Sequence, residues 1–147
     1  MILSSKFSVF IYVILALIIG GLASSNTADD VWYQALIKSP LNPPGYVFGI
    51  VWPILYLLMS ISAFRTFNET KNLFLIQLLF NALWSWLFFA FQMPLVALLN
   101  IWLLIYLNIK INLKMFYIDK LSGLLFIPYI LWLFFASYLN LFIVFNN

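Results

Sequence analysis

The chain contains no cysteine and no histidine, and its 147 residues carry only seven Lys or Arg and four Asp or Glu. Without cysteine there are no disulfides and no thiol nucleophiles, and the redox compartment leaves no signature. Without either residue the usual zinc ligands and haem axial ligands are missing, so no metal site is expected, and only Met and Tyr remain as conceivable iron ligands. No Asp, Glu, Lys or Arg lies in the middle of any long apolar run. Ion-coupled transporters and proton pumps normally place such groups there, which argues against that class. General acid-base catalysis within the apolar segments has no evident agent. No internal repeat, low-complexity tract or second domain is visible.

What is present is apolar. Hydrophobic residues make up 66% of the chain and charged ones 7%, with a mean hydropathy of +1.09, far from the roughly 25% charge of soluble domains. Between Lys71 and Lys110 run 38 residues without a charged side chain, about 57 Å as helix at ~1.5 Å per residue. A bilayer core is ~30 Å thick, so this stretch crosses twice, with the break at Gln92-Met93-Pro94. The runs lack period-2 alternation, so helices rather than a barrel span. Charge-free windows give five spans, at Phe7–Ala23, Tyr46–Phe64, Leu73–Phe91, Leu95–Ile111 and Leu121–Phe145. The expected fold is an all-α integral membrane protein, a five-transmembrane-helix bundle forming one domain over 1–147. Lys6 before an apolar run ending in small residues also has the form of a signal peptide. The run is retained here as the first span.

The loop 24–45 is long, and carries Trp32, Tyr33, Lys38 and a cluster of Pro40, Pro43 and Pro44. That content predicts an ordered lid, since proline lowers chain entropy and the aromatics bury apolar area. Its alternative is an interfacial anchor belt. Lys6, Arg65, Lys71, Lys110, Lys114 and Lys120 fall on one side of five crossings and Lys38 on the other. The positive-inside rule puts the N-terminus in the cytoplasm and the first loop and C-terminus outside, in a plasma or inner membrane. The net charge of +3 is a topology signal and gives no reason to invoke nucleic acid.

Three spans carry polar or aromatic stripes at helical spacing. These are Phe48, Trp52, Tyr56 and Ser60; Gln77, Asn81, Ser85, Phe88 and Gln92; and Pro128, Trp132, Ala136 and Asn140. One amide explains helix association, but four polar groups in line exceed that need. Ala136 one turn from Trp132 leaves a notch beside the indole. Facing one another, the stripes would line a pocket for a flat, apolar, large guest. Trp86 and Trp102 are expected as interface anchors, and Ala16-x-x-x-Gly20 is a small-residue pattern that permits close helix approach, with the interface between copies left open.

Three ordered blocks carry a family resemblance. The first is Trp32-Tyr33-x-x-Leu36-x-Lys38-x-Pro40 with Asn42-Pro43-Pro44, Phe48 and Trp52-x-x-Leu55-Tyr56. The second is Asn81-x-x-Trp84-Ser85-x-Leu87-Phe88-Phe89, and the third Pro128-Tyr129-x-x-Trp132-x-x-Phe135-Ala136-x-Tyr138-Leu139-Asn140. Together they resemble the TspO/MBR family of translocator and tryptophan-rich sensory proteins. The resemblance implies a five-helix pocket closed by the first loop, a homodimer, no required cofactor, and porphyrin (protoporphyrin IX or haem) as ligand, with sterols and isoquinolines in some members. Carried over by motif, the ligand residues are Tyr33, Pro43, Phe48, Trp52, Tyr56, Asn81, Trp84, Trp132 and Ala136. The sterol motif expected near the end of the last span needs Lys or Arg after Tyr138, and none follows. The leading expectation is a protein that binds tetrapyrroles between Trp52 and Trp132, with Lys38 near the propionates. The alternatives are light-dependent porphyrin degradation, in which Trp52 and Trp132 channel the oxidation, and a non-binding structural or regulatory subunit.

Overall fold

The computed structural model describes residues 5–25 and 27–147. Asn26, inside the expected lid, lies outside them. The described residues form helices α1 (Ser8–Ser24), α2 (Val31–Ala35), α3 (Gly45–Arg65), α4 (Phe67–Ser85, continued by a π-helical turn Trp86–Ala90), α5 (Pro94–Ile118) and α6 (Lys120–Asn146). Helices α3, α4 with its π turn, α5 and α6 have 21 to 27 residues and are apolar enough to cross a membrane, and α1 is a shorter apolar helix of 17 residues. The protein is an all-α membrane bundle.

The ends of α1 and α3 fall within a residue of the expected spans. Helix α4 begins six residues before Leu73, because Asn68, Glu69 and Lys71 are tolerated in a first turn that projects beyond the apolar segment. Helix α5 runs seven residues past Ile111 for the same reason, taking in Lys114. Only Asp119 then separates it from α6. The break at Gln92-Met93-Pro94 occurs where expected. Gln92 adopts a left-handed φ of 54°, and Pro94 opens α5 at a position where its missing N–H is not needed.

Neighbouring helices follow one another in a closed ring, α3–α1–α4–α5–α6 and back to α3. Five helices in a ring cannot all meet at the axis, so the centre is either filled by large side chains or left hollow. At the charged end it is filled. Met59, Phe74, Ile111, Met115, Phe126 and Tyr129 are all at or below 1% exposure. That end is fastened by Arg65 Nε donating to Asp119 Oδ2 at 2.6 Å, Ser122 Oγ donating to the same oxygen at 2.6 Å, and Lys6 Nζ standing 4.9 Å from the Phe64 ring.

Small residues are spent inside the ring. Gly20 packs against α4, where a Cβ would be in ordinary contact at 3.9 Å from Ala82 Cα and 3.6 Å from Ser85 Oγ, and Ala16 is buried on the same face. The Ala16-x-x-x-Gly20 pattern therefore seats α1 on α4 within one chain. The two tryptophans expected as interface anchors also tie helices together. Trp86 Nε1 donates to Ile19 O on α1 at 2.9 Å, and Trp102 Nε1 donates to Ser137 Oγ on α6 at 2.8 Å. Hydrocarbon offers an indole N–H no acceptor, so each takes one from the next helix.

Candidate functional site

Toward the loop end the ring is hollow, enclosing a cavity of about 860 Å³. All nine residues carried over by motif border it, namely Tyr33, Pro43, Phe48, Trp52, Tyr56, Asn81, Trp84, Trp132 and Ala136.

One wall belongs to α3 and α6. The rings of Trp52 and Trp132 meet edge to face, 6.2 Å between centroids and 85° between planes, and Phe48 meets Trp132 likewise at 5.8 Å. A planar guest sandwiched between two parallel faces needs ~7 Å from ring to ring. The expected sandwich between Trp52 and Trp132 is thus replaced by a single corner built from both. The other wall belongs to α4. Trp84 stacks on Phe88 at 5.3 Å and 24°, and Phe89 meets Phe88 edge on at 4.8 Å. Phe88 and Phe89 are consecutive, and an α-helix would splay them about 100° apart. The π-helical turn, with Phe91 N donating to Trp86 O at 2.8 Å, widens the helix just there, and both rings border the cavity. The same turn takes Gln92 out of the expected polar stripe and leaves it exposed.

The floor is polar, and hydrogen bonds link its side chains across four helices, leaving Asn108 Oδ1 without a partner. Tyr56 donates its hydroxyl to Asn81 Oδ1, Asn81 Nδ2 donates to Tyr129 Oη at 2.8 Å, and Tyr129 donates to Gln77 Oε1 at 2.7 Å. Asn108 Nδ2 adds a second donor to Gln77 Oε1 at 3.1 Å. Asn81 thus has both ends of its amide engaged by protein. Its place in the second block was legible, but its partners were not, because Tyr129 and Asn108 come from α6 and α5. Asn140, one turn beyond Ala136, accepts from Trp84 Nε1 at 3.0 Å and donates to Pro94 O at 3.0 Å, joining three helices at the cavity edge.

The lid is ordered. Asp30 caps α2 by accepting from Trp32 N at 3.0 Å. Trp32 and Tyr33 then rest edge on against Phe88, at 5.9 and 6.4 Å. The far end of the lid is clasped by the last residue of α6's extension, Ile37 N donating to Asn147 Oδ1 at 2.9 Å and Asn147 Nδ2 donating to Ile37 O at 3.0 Å. Ser39 Oγ and Tyr138 Oη share a further bond of 2.8 Å. Lys38 borders the cavity, yet its ammonium donates to Tyr33 O at 2.6 Å and Leu36 O at 3.3 Å and stands 4.3 Å from the Tyr33 ring. It closes the C-terminal end of α2, where a cation is favoured. Burial lowers the Lys38 pKa and raises that of Tyr33, the latter opposed by a hydrogen bond to Asn42. Sequence reading missed the α1 contribution of Leu17, Gly20, Gly21 and Ser24 to the lining. No chemistry-bearing side chain on α1 drew notice.

The chain that builds this aromatic site matches the model of the TspO/MBR family over residues 8–145. The chain belongs to the TspO/MBR family. It is 37% identical over 139 residues to the tryptophan-rich protein TspO of Archaeoglobus fulgidus, an alignment covering 87% of this chain and 89% of that one. Protein CrtK of Rhodobacter capsulatus is 34% identical over 130 residues, covering 82% and 81%. The translocator protein of Homo sapiens is 28% identical over 119 residues, covering 74% and 70%. The TspO/MBR match takes in α1, the lid, α3, α4, α5 and all but the last residue of α6, with the nine lining residues named above.

Proposed function

We propose that this TspO-type membrane protein binds a porphyrin or related tetrapyrrole in the cavity beneath the lid and handles it as an intermediate of haem-type metabolism. The observation that carries this reading is the shape and chemistry of the cavity. Its volume of about 860 Å³ lies at the large end of small-molecule sites, and its two facing walls are aromatic. Burying about 300 Å² of apolar ligand area at ~25 cal/mol/Å² supplies ~7 kcal/mol, the micromolar range before ordering costs. Each aromatic contact adds ~0.5–1.5 kcal/mol. The macrocycle lies between the Trp52–Trp132 corner and the Trp84–Phe88 stack, with its carboxylates toward the lid. The protein supplies no metal ligand from Cys or His, so the porphyrin is a guest held by its faces. The basic end of the bundle faces the cytoplasm in this reading, the lid and C-terminus face outward, and two copies associate in a plasma or inner membrane.

The test is a titration of the purified protein with protoporphyrin IX in the dark, read by tryptophan quenching. Wild type should saturate in the micromolar range. Ala136→Phe, which fills the notch beside Trp132 without removing an indole, should weaken binding about tenfold or more. Unsaturable quenching identical in both proteins would leave only nonspecific partitioning, and would favour a structural or regulatory subunit. The contact between Trp52 and Trp132 also gives the degradative alternative a defined oxidation path. Loss of porphyrin under illumination, in air, faster than in empty detergent and slowed by Trp132→Phe, would support it.

A further inference from the structure

The cavity wall between α1 and α3 differs from every other wall. At the charged end these two helices touch, with Phe7 and Phe10 against Phe64 at 5.1 and 5.5 Å. Toward the lid they part. Gly21 on α1 and Gly45 and Gly49 on α3 border the cavity and are at the same time exposed on the outside of the bundle. A Cβ built on any of the three meets nothing within 4 Å. Pro53, four residues beyond Gly49, is likewise both cavity-lining and exposed. Loop residues Thr27, Ala28, Pro43 and Pro44 border the cavity at the lid end of these two helices, but among the described residues the lid is fastened elsewhere. Its fastenings run to α6, through Asn147 and Tyr138, and to the π turn of α4, through Phe88 and Phe89. Beside the slit the outward face of α1 is Ile14, Ile18 and Leu22, and that of α3 is Ile50, Ile54 and Leu57, all exposed and apolar. A slit flanked on both sides by such residues opens into hydrocarbon.

We propose that the slit between α1 and α3 is the entrance of the site, and that the cavity takes its ligand sideways from the bilayer. The proposal rests on the tetrapyrrole reading above and narrows it. The guest is a planar, lipid-dissolved molecule that slides edge first past Gly21 and Gly49, where side chains would obstruct a flat ring. Polar, fully water-soluble tetrapyrroles would reach the same walls only slowly. The lid then acts as a fixed roof, and the floor of Tyr56, Asn81 and Tyr129 as a stop.

Because the chain has no cysteine, a single introduced thiol can be labelled alone. Full-length Gly49→Cys protein is labelled with a bulky aromatic maleimide, and Leu131→Cys, on the lipid face of α6, serves as control. Both are reconstituted in liposomes carrying protoporphyrin IX, and association and dissociation are followed by quenching. An obstructed doorway slows both rates together and leaves their ratio nearly unchanged, whereas a label that entered the cavity from position 49 would weaken affinity itself, and that outcome would overturn the doorway. The expected result is a slowing of about tenfold or more on labelling position 49, and none on labelling position 131. Saturable binding with unaltered rates after labelling position 49 would overturn the doorway while leaving the site intact. If a disulfide between Ile37→Cys and Asn147→Cys then slowed entry, the route would pass under the lid. Absence of saturable binding in the unlabelled protein would overturn the tetrapyrrole reading and the doorway with it.

Discussion

Replacing Asn81 with alanine separates two roles that sequence alone merges. As a ligand contact, Asn81 would affect affinity and leave the apoprotein alone. As the keystone of the floor, it holds the Tyr56 hydroxyl through Oδ1 and the Tyr129 hydroxyl through Nδ2. Truncation deletes two interhelical hydrogen bonds, each ~0.6–2 kcal/mol in a membrane bundle. Tyr129 still donates to Gln77, but the buried Tyr56 hydroxyl loses its acceptor. The sum is about 2–3 kcal/mol, the unsatisfied donor included. For a chain of this size that lowers Tm by about 5–10 °C. Unfolding followed by intrinsic fluorescence in detergent, without ligand, measures it directly. Tyr129→Phe should cost about 1–2 kcal/mol, and the double variant should lose less than the sum, because both changes break the same bond. An Asn81→Ala protein with Tm within about 1 °C of wild type but no porphyrin binding would refute the keystone argument and restore Asn81 as a ligand contact.

The remaining predictions follow from single contacts. Gly123→Ala places a Cβ 2.6 Å from ring carbons Cδ1 and Cδ2 of Phe116, so it should lose ~1–3 kcal/mol by overpacking, and Phe116→Ala should recover part of that in the same thermal assay. The Asp119 carboxyl is held down at a pKa of about 2, below the usual carboxylate range, chiefly by its bond from Arg65 and then by that from Ser122. A depressed carboxylate stabilises fully above the unfolded value and loses that effect as pH falls through the folded one, so the wild-type margin over Asp119→Asn should be flat between about pH 8 and 5 and shrink between about pH 4 and 2. Lys38→Ala should speed amide exchange across α2, whose terminal carbonyls it caps. If a carboxylate of the ligand also reaches Lys38, affinity should fall with added salt in wild type and not in the variant.

How far the sequence carried the fold can be argued from particular residues. Span number and the break at Gln92-Met93-Pro94 follow from one physical fact, the cost of charge and unpaired backbone in hydrocarbon, and that fact is written in composition. The boundaries of α4 and α5 were drawn too short because charge-free windows mark the bilayer, whereas helices continue past it into water. The lining residues of α3 and α6 were legible because i, i+4 spacing survives in regular helix. On α4 the spacing held as far as Phe88. The π turn then changed the register, bringing Phe89 to the cavity and sending Gln92 outward. No residue type announces a π turn. Ala16 and Gly20 carried a packing signal whose partner was left open, since a small-residue pattern states that something comes close but not what. The glycines of the slit were invisible for the converse reason, as their importance lies in having no neighbour.

The floor bears on whether anything passes through the bundle. A ligand moving from the cavity to the charged end would have to displace the linked side chains of Tyr56, Asn81, Tyr129, Gln77 and Asn108, and then Met59, Ile111, Met115 and Phe126, all at or below 1% exposure. Opening the polar layer alone would strand several amide and hydroxyl groups in an apolar interior at ~1–3 kcal/mol each. Parting the apolar layer would also separate helices that the Arg65–Asp119–Ser122 clasp draws together. The ring is therefore built as a cup. Under the proposed binding reading, a cup with a hydrogen-bonded floor and a fastened roof would receive and return its guest on the same side of that floor rather than pass it along the central axis.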